Sequence, residues 1–283
     1  MTSLTPDAAR LIERAASLIE RLERLLPEPP GPTDWGASAF RWRTRNGRGW
    51  LQAEYAPHRL DPGDLLCLES QQAEIDRNTR QFLAGRGANN LLLWGSRGTG
   101  KSSLIKAVFT AYRAQGLRLI EVDKEDLSQL PDILDLVRPR PERFILFCDD
   151  LSFEAGEPGY KALKAALEGS ISATPDNLLI YATSNRRHLM PEFQAENREA
   201  HRVDGELHQG EAVEEKISLS DRFGLWISFH PFTQAQYLTL VRHWCTRLGG
   251  APAGWAPDTQ PPAATALRDG SFRAAGQPHD PAP

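Results

Sequence analysis

Four short apolar runs alternate with helical patterns over residues 61–230. The helical patterns fall at 102–114, 125–137 and 159–173, and the apolar runs read "NNLLLWG", "LRLIEVD", "RFILFCDD" and "NLLIYATSN". Continuous apolar runs of this length are typical of strands buried on both faces, and their alternation with helices favours parallel strands joined by helical crossovers. The pattern therefore predicts an α/β protein with a central parallel sheet.

The first 60 residues have a different pattern and are predicted to form a separate N-terminal part. Residues 6–26 place leucine or alanine at spacings of three and four with charged residues between them, which predicts an amphipathic helix. Its apolar stripe could pair with a partner helix or pack on its own domain. The stretch "PEPPGPT" then ends the helix and forms a stiff linker.

An Asn-Gly pair between two aromatic-bearing runs, in "FRWRTRNGRGWLQAEY", predicts a β-hairpin. Its basic and aromatic residues are Arg41, Arg43, Arg45, Arg48, Trp42 and Trp50. Such a ribbon could hold a nucleic-acid backbone while an aromatic ring stacks on a base. An ordinary ribbon with solvated or ion-paired arginines is the alternative.

Two further parts follow the sheet region. Residues 231–250 contain one amphipathic helical pattern, and residues 251–283 are rich in proline, alanine and glycine without helical periodicity. A tract of this composition buries too little apolar surface to offset the cost of ordering the chain, so we expect 251–283 to be disordered. The predicted parts are therefore 1–60, 61–230, 231–250 and 251–283.

Composition narrows the possible partners and the compartment. The formal net charge of −4 gives no global attraction to nucleic acid or to an anionic membrane, so a charged polymer would have to bind a local patch. Cysteine occurs three times without CxxC or metal-ligand spacing, which favours packed thiols in a reducing compartment. Because no apolar run approaches the ~18 residues of a membrane span, we expect a cytoplasmic protein without a membrane partner.

The strongest chemical signal follows the first apolar run. The stretch "LLLWGSRGTGKSS" contains the full GxxxxGK[ST] pattern, with a strand pattern before it and a helical pattern after it. In such a loop, backbone N–H groups and the lysine face nucleotide phosphates, and the following hydroxyl binds Mg²⁺. The residues expected to bind ATP are Gly95, Ser96, Gly98, Thr99, Gly100, Lys101, Ser102 and Ser103.

Polar residues end two later strands of the predicted sheet, at the edge where ligands of open α/β sheets bind. Asp149 is expected to hold Mg²⁺ together with Ser102, and Asp150 occupies the place of a base or water-orienting carboxylate. Asn185, at the end of "YATSN", could orient the attacking water. Helix caps or turns are the alternative explanation for these short polar side chains.

A single arginine precedes the last apolar run, in "ISLSDRFGLWISF". Arg222 at a sheet edge could reach a γ-phosphate and stabilise the charge of the transition state, whereas an isolated loop arginine is usually only solvated. Glu154 is a reserve candidate for a longer carboxylate, and Arg186 and Arg187 are reserve candidates for a phosphate contact.

These segments, in this order, resemble a bacterial family of AAA+ ATPases of unknown function, the domain of unknown function 815, and more distantly the replication initiator DnaA. The similarity covers roughly residues 38–250 and includes "ANNLLLWGSRGTGKSSLIKA", "PERFILFCDDLSFE" and "LLIYATSNRRHL". It implies a three-layer αβα sandwich whose parallel five-stranded sheet has the order 5-1-4-3-2, followed by a helical lid that is truncated here. It also implies that Asn185 is the first sensor and that Arg222 acts on the ATP of a neighbouring subunit, which requires a homo-oligomer.

The expected function is slow MgATP hydrolysis coupled to the remodelling or recruitment of an unknown protein or nucleic-acid client. Hydrolysis is expected to be slow because the Asp150 carboxylate is one methylene shorter than that of glutamate, and a misplacement of about 1 Å can cost about 10²-fold in rate. An ATP-dependent switch that does not hydrolyse and a DnaA-like nucleic-acid loader are the alternatives.

Overall fold

The computed structural model of the protein describes residues 10, 12, 14–17, 31–57, 60–153, 157–168, 174–186, 189, 202–203, 206–207 and 219–247. The chain divides into two compact units, Met1–Asp34 and Trp35–Pro283. In the first unit, residues 10, 12 and 14–17 are helical, and the rest of the predicted helix lies outside the described residues. The predicted tail over 251–283 also lies outside them.

The described part of the second unit contains nine strands and five α-helices, and residues 219–221 are also helical. The strands are β1 (Ala39–Arg45), β2 (Arg48–Glu54), β3 (Leu91–Gly95), β4 (Leu117–Glu121), β5 (Arg143–Cys148), β6 (Leu178–Ser184), β7 (Arg202–Val203), β8 (Glu206–Leu207) and β9 (Leu225–Phe229). The helices are α1 (Glu69–Leu83), α2 (Lys101–Tyr112), α3 (Leu130–Val137), α4 (Pro158–Glu168) and α5 (Gln234–Arg247). Within these described residues, no helix is both long and apolar enough to cross a membrane.

The three predicted crossover helices correspond to α2, α3 and α4. Where the prediction continued an α-helix, the chain instead forms 3₁₀ turns, Arg113–Gln115 after α2 and Lys124–Gln129 before α3. Such turns are common at helix ends. The last residues predicted for the third helix, 169–173, lie outside the described residues.

Seven of the strands form one sheet in the order β2-β1-β4-β5-β6-β3-β9, and β7 and β8 form a separate two-stranded sheet. Neighbours in the large sheet are parallel except β1 and β2, which form the predicted hairpin. The five strands from β9 to β4 follow the expected order 5-1-4-3-2, but the predicted count of five was wrong. The hairpin belongs to the sheet, because residues 39–41 of β1 pair in parallel with residues 119–121 of β4.

Helices cover both faces of the sheet, which gives the predicted three-layer αβα sandwich. On one face, Ile133 of α3 and Leu163 of α4 pack in a hydrophobic cluster with Leu146 of β5. On the other face, Ile75 of α1 and Phe109 of α2 belong to a second cluster. Every residue of β6 is buried, as expected for a central strand with helices on both faces.

Trp42 is part of the core and not of an exposed ribbon face. It is 1% exposed, lies in one hydrophobic cluster with Phe40 and Leu51, and donates its indole N–H to Gln129 Oε1 at 3.1 Å. Of the two tryptophans of the hairpin, Trp42 is therefore too buried to stack on a base. Side chains alternate along a strand, so the arginines at 41, 43 and 45 face the opposite side of β1.

Candidate nucleotide-binding site

The glycine-rich loop begins where β3 ends beside β9. Gly95 has φ +136°, and a Cβ at this position would lie 2.0 Å from the carbonyl oxygen of Phe229, so only glycine fits between the two strands. Gly98 and Gly100 have φ +74° and +92°, which are left-handed conformations that other residues disfavour. The backbone path from β3 to α2 therefore depends on the glycines of the motif.

The remaining predicted loop residues surround this backbone path. Thr99 is buried, and its Oγ1 donates to the carbonyl oxygen of Ser96 at 2.7 Å, which closes the loop on itself. Ser96 is exposed, and Ser103 lies half-buried in the first turn of α2. A Cβ at Gly98 would meet no atom within 4 Å, so the loop is open at this position.

Lys101 is the first residue of α2 and is 7% exposed. Its ammonium donates to the carbonyl oxygens of Gly95 at 2.8 Å and Ser96 at 2.7 Å, and to Asn185 Oδ1 at 3.1 Å. Burial lowers the pKa of this ammonium from its ordinary value, and the charge of Asp150 acts in the opposite direction. When a nucleotide binds, anionic phosphate oxygens would take the place of these neutral acceptors, and the Lys101 ammonium would form stronger hydrogen bonds with them.

Three segments of the chain meet at the carboxylate of Asp149. Ser102 Oγ, at the start of α2, donates to Asp149 Oδ1 at 2.5 Å, and Thr183 Oγ1, near the end of β6, donates to the same oxygen at 2.5 Å. Asp149 itself follows β5. Hydroxyl and carboxylate oxygens are ligands that Mg²⁺ prefers, so Ser102 and Asp149 fit the predicted metal position.

Asp150 lies beside this carboxylate in a left-handed conformation, with φ +49°. Its backbone N–H donates to Thr183 Oγ1 at 2.9 Å, which fixes the turn. Asn185 Nδ2 donates to Asp150 Oδ1, and the guanidinium of Arg97 donates to Asp150 Oδ2 at 3.3 Å. Because Asn185 also accepts from Lys101, a continuous polar network joins the loop to the ends of β5 and β6.

This group of side chains fits the phosphates and the metal that the loop motif implies. The N-terminus of α2 directs backbone N–H groups and the positive end of the helix dipole towards the loop. The buried ammonium adds a full positive charge, and the adjacent carboxylates supply metal ligands and a candidate base. The arrangement can therefore bind a polyphosphate and a divalent cation at the carboxyl end of the sheet.

Arg222 lies at the amino ends of the parallel strands, whereas this polar group lies at their carboxyl ends. β9 pairs with β3 so that Leu225 lies opposite Leu91 and Phe229 opposite Gly95. The four steps along β9 span about 13 Å, and Arg222 precedes the strand. Its guanidinium forms an ion pair with Glu168, the last residue of α4. Arg222 therefore cannot reach phosphates bound by its own loop, and a contact with nucleotide would have to involve another subunit.

The structure brings together five predicted site residues, Lys101, Ser102, Asp149, Asp150 and Asn185. Two members of the group had no predicted role. Thr183 was visible in the sequence as a polar residue near the end of a strand, whereas Arg97 occupies a variable position of the loop motif and gave no signal. Of the reserve candidates, Glu154 and Arg187 lie outside the described residues, and Arg186 is exposed.

Helix α5 is attached to the rest of the unit by a buried carboxylate. Asp64, in the 3₁₀ helix Pro62–Asp64, is 3% exposed. Its Oδ1 lies 3.0 Å from His243 Nε2 and 2.5 Å from a guanidinium nitrogen of Arg247, and both partners belong to α5. Trp244 of the same helix packs against the hydrophobic cluster of α1 and α2. Asp64 thus fixes the C-terminal half of α5.

Replacing Asp64 by alanine is expected to lower the free energy of unfolding by about 1.5–3 kcal/mol, because the ion-paired hydrogen bond between its buried carboxylate and Arg247 is lost. Amide hydrogen exchange of residues 234–247 should accelerate more than exchange in β5. Chemical denaturation and hydrogen-exchange mass spectrometry measure the two effects. Asp176→Ala removes an exposed carboxylate and should change stability by less than about 0.5 kcal/mol. Equal losses in both variants would contradict a specific attachment of α5.

A three-layer sandwich with a glycine-rich loop between a central strand and the next helix defines a P-loop protein of the α/β class. The chain belongs to the family described as "Protein of unknown function (DUF815)", whose model matches residues 36–266. The match begins just before the hairpin and continues past residue 250, so it includes part of the tail, 251–283, that we expected to be disordered. No curated protein matches the sequence.

The solved structures that resemble the protein over part of their length include RuvB and Orc1. RuvB of Thermotoga maritima, a Holliday junction branch migration motor, has 14% identity and a TM-score of 0.41, with 64% of this chain and 51% of that chain covered. The Orc1 protein of Aeropyrum pernix, in complex with DNA, has 15% identity and a TM-score of 0.45, with 69% and 52% covered. The chain thus spans about half the length of either structure.

Proposed function

We propose that this protein binds MgATP and hydrolyses it slowly in a homo-oligomer, and that the cycle remodels or recruits a client. The observation that supports this most directly is the polar group at the end of the sheet. There, an ammonium, two hydroxyls, two carboxylates and an amide come within hydrogen-bond distance of one another. The group combines charge for phosphates, ligands for a divalent cation and a candidate base.

Each residue has a separate role in this proposal. Lys101 neutralises phosphate charge, and Ser102 and Asp149 hold Mg²⁺, which supplies positive charge to the transferred phosphoryl group. Asp150 accepts a proton from the attacking water, and Asn185 orients that water. The backbone N–H groups of the loop bind the remaining phosphate oxygens.

One contact of Asp150 supports slow hydrolysis, the hydrogen bond that it accepts from Asn185. Its carboxylate is held by Asn185 and by Arg97, so it must change partners before it can bind water. The pair with Arg97 is exposed, with 81% and 55% of the two side chains accessible, and exposed pairs contribute only about 0–1 kcal/mol. An incoming phosphate can therefore displace Arg97 at little cost. The same contacts favour the second candidate function, an ATP-dependent switch with negligible turnover, if Asp150 is not released.

The position of Arg222 supports assembly. An arginine that stabilises a phosphoryl-transfer transition state can be supplied by a second protein molecule. In this chain, the sheet separates Arg222 from its own loop. Hydrolysis that depends on Arg222 therefore requires a second subunit.

Single-turnover phosphate release with Asp150 variants tests the proposed base. Asp150→Asn keeps the size of the side chain but removes its basicity, so we expect a rate about 10²-fold lower with unchanged ATP binding. Asp150→Glu keeps a carboxylate and should retain hydrolysis. Asp123→Asn is the matched control, because Asp123 is an exposed carboxylate that lines the same cleft as Asp149 and Asp150.

The outcomes of this experiment separate the two candidate functions. An Asp150→Asn rate equal to that of the wild type would remove Asp150 from the role of base. Tight ATP binding without phosphate release at any protein concentration would instead establish the switch. Activity per subunit that rises with protein concentration is the result expected of an assembling hydrolase.

A further inference from the structure

The outer face of the hairpin β1–β2 carries arginines around one tryptophan. The register places Arg43 opposite Trp50 and Arg45 opposite Arg48, so these four side chains share one face of the ribbon. Arg45 and Arg48 are exposed, and Arg43 and Trp50 are half-buried. We call these four residues the arginine face.

Trp50 does not belong to the core. Among the described residues it is a member of neither hydrophobic cluster and does not pack against either of them. Its neighbour Leu51, which points to the other side of β2, is 3% exposed. A large aromatic ring that is only partly buried beside arginines suits a planar aromatic ligand, because arginine and tryptophan both stack on such rings.

The positive charge of the arginine face is not neutralised by contacts in the described part of the chain. Arg41 pairs with Glu121 at 3.0 Å, but Arg43 donates to the neutral Gln52 at 3.0 Å. No ion pair between described residues involves Arg45 or Arg48. Three arginines therefore form a local positive patch on a chain whose net charge is −4. This charge is complementary to a polyanion.

The hairpin is a rigid support for this face. Asn46 and Gly47 have φ of +51° and +73°, the signs of the two-residue type I′ turn that matches strand twist. A Cβ at Gly49 would lie 1.9 Å from the ring of Trp42, so glycine at this position lets β2 pack directly on the buried indole. A preorganised surface loses little conformational entropy when it binds a ligand.

The arginine face is separate from the nucleotide-binding loop. Five inter-strand spacings lie between β3, which leads into the loop, and β2 at the edge of the sheet. At about 4.8 Å each, they amount to about 24 Å. A ligand of the hairpin would therefore contact residues that the nucleotide does not.

We propose that the arginine face binds single-stranded nucleic acid, with Arg43, Arg45 and Arg48 on phosphates and Trp50 stacked on a base. Single strands expose the faces of their bases, whereas a duplex buries them in its stack. An acidic protein would complement the charge but would leave Trp50 without a stacking partner. The proposal does not depend on the proposed ATP hydrolysis.

Fluorescence anisotropy of a labelled single-stranded oligonucleotide with the full chain tests this proposal. Arg45→Ala/Arg48→Ala should weaken binding and reduce the slope of log affinity against log salt by about 1.4, because each lost phosphate contact contributes about 0.7. Trp50→Ala should weaken binding about 5- to 150-fold, and Trp50→Phe should restore part of the loss. The matched control is Arg86→Ala/Arg138→Ala, which removes two exposed arginines elsewhere.

Three results would overturn the proposal. They are an equal loss in the control double variant, tighter binding of a duplex than of the single strand, and competition by polyglutamate as effective as that by unlabelled oligonucleotide. Thermal unfolding of each variant checks that the ribbon remains folded, and a loss of binding counts only for variants that unfold at the wild-type temperature. Binding by Lys101→Ala should equal that of the wild type, so failure of the nucleotide site and failure of the hairpin are distinguishable.

Discussion

Replacing Arg222 by alanine is expected to lower ATP hydrolysis about 10³- to 10⁵-fold, the range measured for arginines that stabilise phosphoryl-transfer transition states. ATP affinity should change little, because Arg222 precedes the amino end of β9, whereas its own loop follows the carboxyl end of the neighbouring parallel strand β3. Steady-state phosphate release and equilibrium binding of a fluorescent ATP analogue measure the two quantities. Arg86→Ala, which removes an exposed arginine outside the site, should leave both unchanged.

Mixing two inactive variants tests whether Arg222 acts between subunits. Arg222→Ala chains keep an intact loop but lack the arginine, and Lys101→Ala chains lack the loop lysine but keep Arg222. In a mixed assembly, some intact loops face an intact arginine, so activity should rise above the sum of the separate variants. If mixing restores nothing while both variants still assemble with the wild type, the contact between subunits is contradicted.

The ion pair between Arg222 and Glu168 bears on the same experiment. The two side chains are 30% and 37% exposed, so solvent screens the pair in part. A phosphate dianion on a neighbouring subunit would attract the guanidinium more strongly than one carboxylate does. The ion pair with Glu168 therefore does not by itself prevent the transfer of Arg222 to a phosphate.

The central fold was predictable because its strands are buried on both faces. Runs such as Ile145–Leu146–Phe147 have no alternation of polar and apolar residues, which indicates burial on both faces. The glycine-rich motif then identifies the strand that leads into the nucleotide-binding loop. Lys101 and Ser102 were predictable for the same reason, since the motif defines both their positions and their chemistry. Asp149 followed from its place at the end of a buried strand.

The attachment of the hairpin to the sheet was not predictable in this way. The Asn-Gly turn identifies a local pairing, but nothing in it indicates that β1 also pairs with the distant strand β4. The burial of Trp42 could have been inferred, because Phe40 and Trp42 alternate with arginines in the two-residue period of a half-buried strand. The contact between Arg97 and Asp150 depends on the three-dimensional path of the loop and leaves no pattern in the sequence.

Replacing Lys101 by alanine is expected to abolish measurable nucleotide binding and, with it, hydrolysis. The residue is only 7% exposed and its ammonium donates to three oxygens around the loop, so its charge is concentrated where the phosphates would lie. Each charge-assisted hydrogen bond contributes about 1.5–3 kcal/mol, and the loss of two would weaken binding about 10²- to 10⁴-fold. Titration calorimetry with ATP, in the presence and absence of Mg²⁺, measures the loss directly.

A loss of binding caused by the missing charge of Lys101 must be distinguished from a loss caused by misfolding of the loop. Lys106→Ala, further along α2, removes a half-buried ammonium outside the site and should bind ATP like the wild type. Lys101→Met keeps most of the side-chain volume but not the charge, so it should fold normally and still fail to bind. Because burial lowers the pKa of Lys101, wild-type affinity should also begin to fall at a lower pH than that of an ordinary lysine site. Binding by Lys101→Met at wild-type affinity would contradict a phosphate site at this loop.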